Sequence, residues 1–145
     1  MNLLFGTEGT IGRGKFWIGF LILFVVGILA SLLVTGLVLA LGTVGQWISF
    51  GILLILLYPA VVLSMKRLRD RGRDNLNIWL FAYFAPGVLV NFAQTTGIGF
   101  VREDLGGLTV SSPTALGGSL TFLAFLAFIV AIVDLGFLKG AERPA

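Results

Sequence analysis

From Phe16 to Leu41 the chain runs without one charged side chain. At about 1.5 Å of rise per helical residue, such a run outreaches the roughly 20 residues that cross a hydrocarbon core. A helix apolar on every side has no place in a small soluble domain. Three more apolar runs follow, Gln46 to Met65, Leu76 to Ala93 and Leu116 to Leu138, and the charges are gathered between them. Of 145 residues 57% are hydrophobic and 12% charged, too much apolar surface for a soluble domain of this size to bury. The fold class expected is therefore all-α: a polytopic membrane protein of four transmembrane helices.

The charges then orient the spans. Five of the ten basic residues stand in one hinge over 66–75, between the second and third runs: Lys66, Arg67, Arg69, Arg71 and Arg73. An even number of crossings puts this hinge on the same side as the segment 1–15, with Arg13 and Lys15, and the tail 139–145, with Lys139 and Arg143. The other side then carries only Arg102, nine basic residues against one, so both termini are expected in the cytoplasm. A re-entrant third segment would instead place Lys139 and Arg143 outside, and the count argues against it.

The connecting segments carry further expectations. Residues 1–15 are Gly-rich with Leu3, Leu4, Phe5 and Ile11 as apolar anchors, which predicts an interfacial lead-in without a long helix. Arg13 and Lys15 before an apolar run have the outline of a signal peptide, but the run is too long for an h-region and lacks a small-residue cleavage site. Gly42 to Gly45 makes a short turn that sets the first two spans antiparallel. Pro59 predicts a kink in the second span, with Tyr58 beside it as a polar tip, and Pro86-Gly87 a break or sharp bend in the third. Gly72 suits the end of one helix and Asp74 the cap of the next, while Lys66 and Asp70 are spaced for an i,i+4 pair. In the long loop 94–115, Phe100-Val101 and Leu108 to Val110 around Leu105-Gly106-Gly107 predict a small hairpin.

Three motifs together carry a family resemblance: Gly12-Arg13-Gly14-Lys15-Phe16-Trp17, Tyr58-Pro59-Ala60, and Lys66-Arg67-Leu68-Arg69-Asp70-Arg71-Gly72-Arg73. In this order they resemble the family called domain of unknown function 805, small bacterial inner-membrane proteins. The resemblance implies a bacterial inner-membrane location and no established activity. Arg69 stands where that family usually has His, Asp74-Asn75-Leu76-Asn77 replaces a Ser-Gly-Trp-Trp type of run, and the Asn-x-Tyr-Gly ending is missing. A pH-switching role for the family's His therefore does not transfer.

The candidate residues fall into three groups. Arg13, Lys15, Lys66, Arg67, Arg69, Asp70, Arg71 and Arg73 are expected to dock on anionic lipid head groups or a partner protein, and the interleaved Asp70 and Asp74 favour an ordered charge network. Asp134 is the only carboxylate inside an apolar run. Its structural reading, favoured here, is an ion pair with Lys139 or a hinge arginine; its functional reading is a proton or ion site. Ala124, Ala127 and Ala131 share its helix stripe, and together with Gly27, Ser31 and Gly36 they offer small-residue faces for helix packing.

Several classes are disfavoured. With no Cys and no His, a disulfide framework, a thiolate metal site and the commonest general base are all missing. The glycines at 97, 99, 106 and 107 lack the strand, helix and Lys of a nucleotide site, and the basic segments lie beside apolar runs rather than on a nucleic-acid-binding face. Neither an enzyme nor a cofactor is expected. The function expected is an accessory or scaffolding subunit packing against a larger membrane complex or itself. The alternative is a small transporter or channel using Asp134 and the Pro59 and Pro86 kinks.

Overall fold

A computed structural model describes residues 4–105 and 108–140; Leu3, Gly106, Gly107, Glu142 and Arg143, on which some expectations fall, lie outside the described residues. Four long helices follow one another: α1 (Arg13–Leu41), α2 (Thr43–Asp70), α3 (Leu76–Thr96) and α4 (Ala115–Ile132), the last running into a π-turn over Val133–Phe137. All four are long and apolar enough to cross a membrane. Between α3 and α4 stands an antiparallel hairpin of β1 (Phe100–Leu105) and β2 (Leu108–Pro113), with Phe100 opposite Pro113 and Leu105 opposite Leu108.

Glycines set the sharp corners. Only Gly42, at φ 55°, separates α1 from α2. Gly45 then lies so close to the first helix that a Cβ would run into the Leu37 carbonyl and the Val38 Cα at 2.8 Å. At the other end of α2, Gly72 at φ 64° closes a Schellman motif, in which Arg73 N–H donates to Leu68 O at 3.2 Å and Gly72 N–H to Arg69 O at 3.1 Å.

Two expectations about the third helix are corrected. Asp74 is not its cap: Asn75, in the left-handed region at φ 55°, holds that position without a side-chain cap bond. Nor does Pro86-Gly87 break it, because α3 is continuous from Leu76 to Thr96. A proline removes one donor and its fixed φ fits a helix, so the ladder on either side can persist. One turn on, Asn91 Nδ2 donates to the Gly87 carbonyl at 3.0 Å.

Helices α1 and α2 pack side by side, as do α3 and α4, and α2 lies against α3. Around Ile11, Phe16, Leu63, Leu68, Leu80, Tyr83 and Leu135 the hinge end of the bundle is packed, and a smaller cluster of Val90, Ala93 and Phe100 packs the hairpin end. Thr114 caps α4 at that end, its hydroxyl accepting from Gly117 N–H at 3.5 Å and donating to Gly99 O at 2.9 Å, where the Gly99 and Gly117 backbones touch. Between the two clusters the bundle is open, and α1 meets the α4 strand of chain chiefly through the π-turn.

Candidate functional site: a crown of side chains on the end of α4

A helix leaves its last four carbonyls without intrahelical partners, and the electrostatic field of the backbone favours cations there. At the end of α4 five consecutive carbonyls accept from side chains far away in the chain. Arg71 Nη1 donates to Asp134 O at 2.6 Å, Arg67 Nε to Leu135 O at 2.8 Å and Trp17 Nε1 to Gly136 O at 3.2 Å. Arg13 Nη1 reaches Phe137 O at 3.5 Å, and Arg67 Nη2 donates to Leu138 O at 2.6 Å. The π-turn supplies the acceptors, since its wider i to i−5 pairing, seen in Leu138 N–H to Val133 O at 3.4 Å, frees carbonyls from the α-helical ladder.

The carboxylate of Asp134 is the second half of this junction. Oδ1 pairs with Arg71 and, at 2.9 Å, with Arg73 Nη2, while Oδ2 accepts from the Tyr83 hydroxyl at 2.7 Å. Arg73 is further held with its guanidinium carbon 4.1 Å from the centre of the Trp79 ring. Asp134 is buried, so its lone pairs depend on these three donors. Of the partners foreseen for a structural Asp134, hinge arginines are the ones in place.

Arg67 occupies the middle of the junction. Besides its two bonds to the α4 end it donates to Ile11 O at 3.4 Å and pairs with Asp70 one turn along α2. Two of the residues expected to dock, Lys66 and Arg67, are 0% and 1% exposed within the chain. Asp70 pairs with Arg67, and Arg71 and Arg73 with Asp134, so these residues form an ion-pair network that runs from the buried Arg67 and Asp134 to the half-buried Arg73. Arg69 is exposed, donating to Thr7 O and, at 3.3 Å, to Met65 Sδ. Arg13 and Lys15 are exposed at the start of α1.

The small-residue positions frame an open space rather than a helix contact. Gly27, Ser31, Ala124 and Ala131 line a cavity of about 520 Å³ bordered by all four helices. A Cβ at Gly27 or Gly36 would meet nothing within 4 Å. Ala127 is half-buried on the same helix. The close helix approach of the first pair is made at Gly45 instead. Of the polar side chains on the cavity wall, Ser31 donates to Ile28 O at 2.7 Å, Asn91 to Gly87 O and Tyr83 to Asp134; with Ser64 they are the few polar groups on a surface that is otherwise apolar.

Sequence reasoning left out Tyr83, Trp17 and the run of carbonyls at 134–138. A tyrosine one helical turn before Pro86 in an otherwise apolar run was the available signal for Tyr83. For backbone acceptors there is none.

Fold and junction together define a class: a four-helix bundle of membrane-spanning length, with one end closed by arginines bonded to a helix terminus. The chain belongs to the family of proteins of unknown function DUF805, whose family model matches residues 4–145, essentially its whole length. No curated protein and no solved structure matches it.

Proposed function

We propose that this is a multi-pass protein of the bacterial inner membrane, its hinge and both termini cytoplasmic, acting as a small accessory or scaffolding subunit that packs against a larger membrane complex or a second copy of itself. The observation that carries the reading is α1. Beyond Gly19 it has no buried residue, and Leu29, Leu32 and Leu33 are 62%, 67% and 61% exposed on the outside of its own bundle. A membrane-length helix that contributes so little to its own core is free to meet lipid and neighbouring helices. The cytoplasmic placement rests on the nine-to-one asymmetry of basic residues.

The transport alternative asks Asp134 to bind and release a proton or ion along a path. Its carboxylate is instead occupied by two guanidinium groups and a phenol, which supports the structural reading. Purification in gentle detergent with a photo-crosslinking residue in place of Leu32 tests the proposal. A discrete adduct of fixed stoichiometry, with another membrane protein or a second copy, is expected. A chain that runs as a monomer and crosslinks only to lipid in its native membrane overturns it.

A further inference from the structure

The central cavity has a definite size, surface and way in. Its volume of about 520 Å³ falls within the roughly 300–1,000 Å³ of small-molecule sites. A transmembrane helix some 30 Å long and 10 Å across would need on the order of 2,000 Å³, so no partner helix fits. Since α1 and α4 approach each other chiefly at the π-turn and lie farther apart along the rest of the bundle, the side of the cavity between them is its route to the surroundings, which on the proposed placement are the hydrocarbon of the membrane.

A track of side chains leads to this opening from the basic end of α1. Arg13 and Lys15 stand exposed at its start, and Lys15 pairs with no carboxylate among the described residues. Trp17 follows, edge-on to Phe20 with ring centres 5.5 Å apart. The rings of Phe16, Phe20 and Phe24 then stack along the helix at 6.3 and 6.2 Å, all three on the cavity wall. Beyond them come Gly27 and Ser31, where the wall recedes.

We infer that the cavity holds one hydrocarbon chain of an anionic phospholipid from the cytoplasmic leaflet, which enters between α1 and α4 with its phosphate against Arg13 and Lys15. A space walled mostly by apolar side chains suits a methylene chain and offers few partners to a polar solute. The cations at the head of the track select a negative head group by charge. This goes beyond the subunit role and rests on that reading only for the membrane placement.

The test is native mass spectrometry of the full chain released from vesicles of equimolar phosphatidylglycerol and phosphatidylcholine. One phosphatidylglycerol per chain is expected to survive release. Gly27→Phe projects into open space, so the bundle should form normally, and retention should fall by about tenfold or more as the ring takes the place of methylenes. Ser31→Leu, exposed on the same wall, should act alike. In Arg13→Gln/Lys15→Gln a lipid should still be retained, with the preference for the anionic head group lost.

Failure to retain lipid in the wild-type chain overturns the inference. So does retention unchanged by both Gly27→Phe and Ser31→Leu, a head-group preference unchanged by removal of the two cations, or a retained mass that is a free fatty acid or another apolar solute. Extraction of the chain from native membranes by alkaline carbonate is a separate outcome, which overturns the membrane placement itself.

Discussion

Gly136 lies flat against the indole of Trp17: a Cβ at this position would be 2.8 Å from Trp17 Cζ2, and the indole Nε1–H donates to the Gly136 carbonyl at 3.2 Å. The one contact thus demands the absence of a side chain and the presence of a backbone acceptor. Gly136→Val is expected to push α1 away from the end of α4 and destabilise the bundle by about 1–3 kcal/mol, as overpacking does. Thermal unfolding in detergent checks it, and Trp17→Phe, which keeps the ring but loses the donor, should lower stability by about 1 kcal/mol.

Removing the charge of Asp134 leaves Arg71 and Arg73 facing each other without a carboxylate. Asp134→Asn is expected to lose about 3–5 kcal/mol, the range for breaking a buried pair from one side. In a double-mutant cycle with Arg71→Gln the two losses should not add, because each removes the same pair. Equilibrium unfolding in mixed micelles measures the cycle; additive losses would disprove the pairing.

Arg67→Lys tests the geometry of the junction rather than its charge. A lysine keeps the cation but cannot span Leu135, Leu138, Ile11 and Asp70 at once, as the planar fork does. A loss of about 1–3 kcal/mol is expected from the stranded carbonyls. Hydrogen exchange should accelerate over 135–138 and stay unchanged over the hairpin.

Glycine substitutions along the first two helices should divide sharply. Gly45→Ala puts a methyl group into the Leu37 backbone, which cannot swing aside, and is expected to cost about 1–3 kcal/mol. Gly36→Ala meets open space and removes a glycine from a helix interior, so it should be neutral or stabilising by up to about 1 kcal/mol. Melting temperatures of the pair decide the matter.

Since the chain has no cysteine, single-cysteine labelling can read its sidedness directly. Lys15→Cys and Val110→Cys are expected to react from opposite faces of an intact membrane, Lys15→Cys from the cytoplasm. Labelling of both from one face would refute four crossings.

How much of this could be read in advance varied with the physics behind each feature. The four helices were legible because hydrocarbon sets a minimum apolar length, and each run exceeds or approaches it. The hairpin was legible from two short apolar stretches around Leu105-Gly106-Gly107, and the end of α2 from Gly72, because turn chemistry is local. Whether a basic residue near a membrane edge points outward or inward is not local. Lys66 and Arg67 carry the same charge pattern as Arg69, yet the first two are buried and the third exposed. What separates Arg67 from Arg69 is the arrival of Leu135, Leu138 and Ile11, whose carbonyls attract a guanidinium whatever their side chains are. A backbone acceptor leaves no mark in a sequence. The cavity was hidden for a related reason: small residues at helical spacing look the same whether another helix fills the space or nothing in the chain does.

The junction at the end of α4 also imposes an order of assembly. Arg67 and Arg71 emerge during synthesis well before residues 134–138, the source of most of their acceptors. On the proposed membrane placement, while the third and fourth helices are being inserted the hinge carries a net positive charge, Asp70 offsetting Arg67 but nothing yet facing Arg71 and Arg73, the condition that keeps a segment from being translocated. Only when the fourth helix arrives do Arg71 and Arg73 gain the Asp134 carboxylate and Arg67 its carbonyl acceptors. On that placement the same arginines would serve first as an anchor for the growing chain and afterwards as the clasp of the finished one, and a ribosome stalled before Asp134 would leave a nascent protein whose hinge is still open.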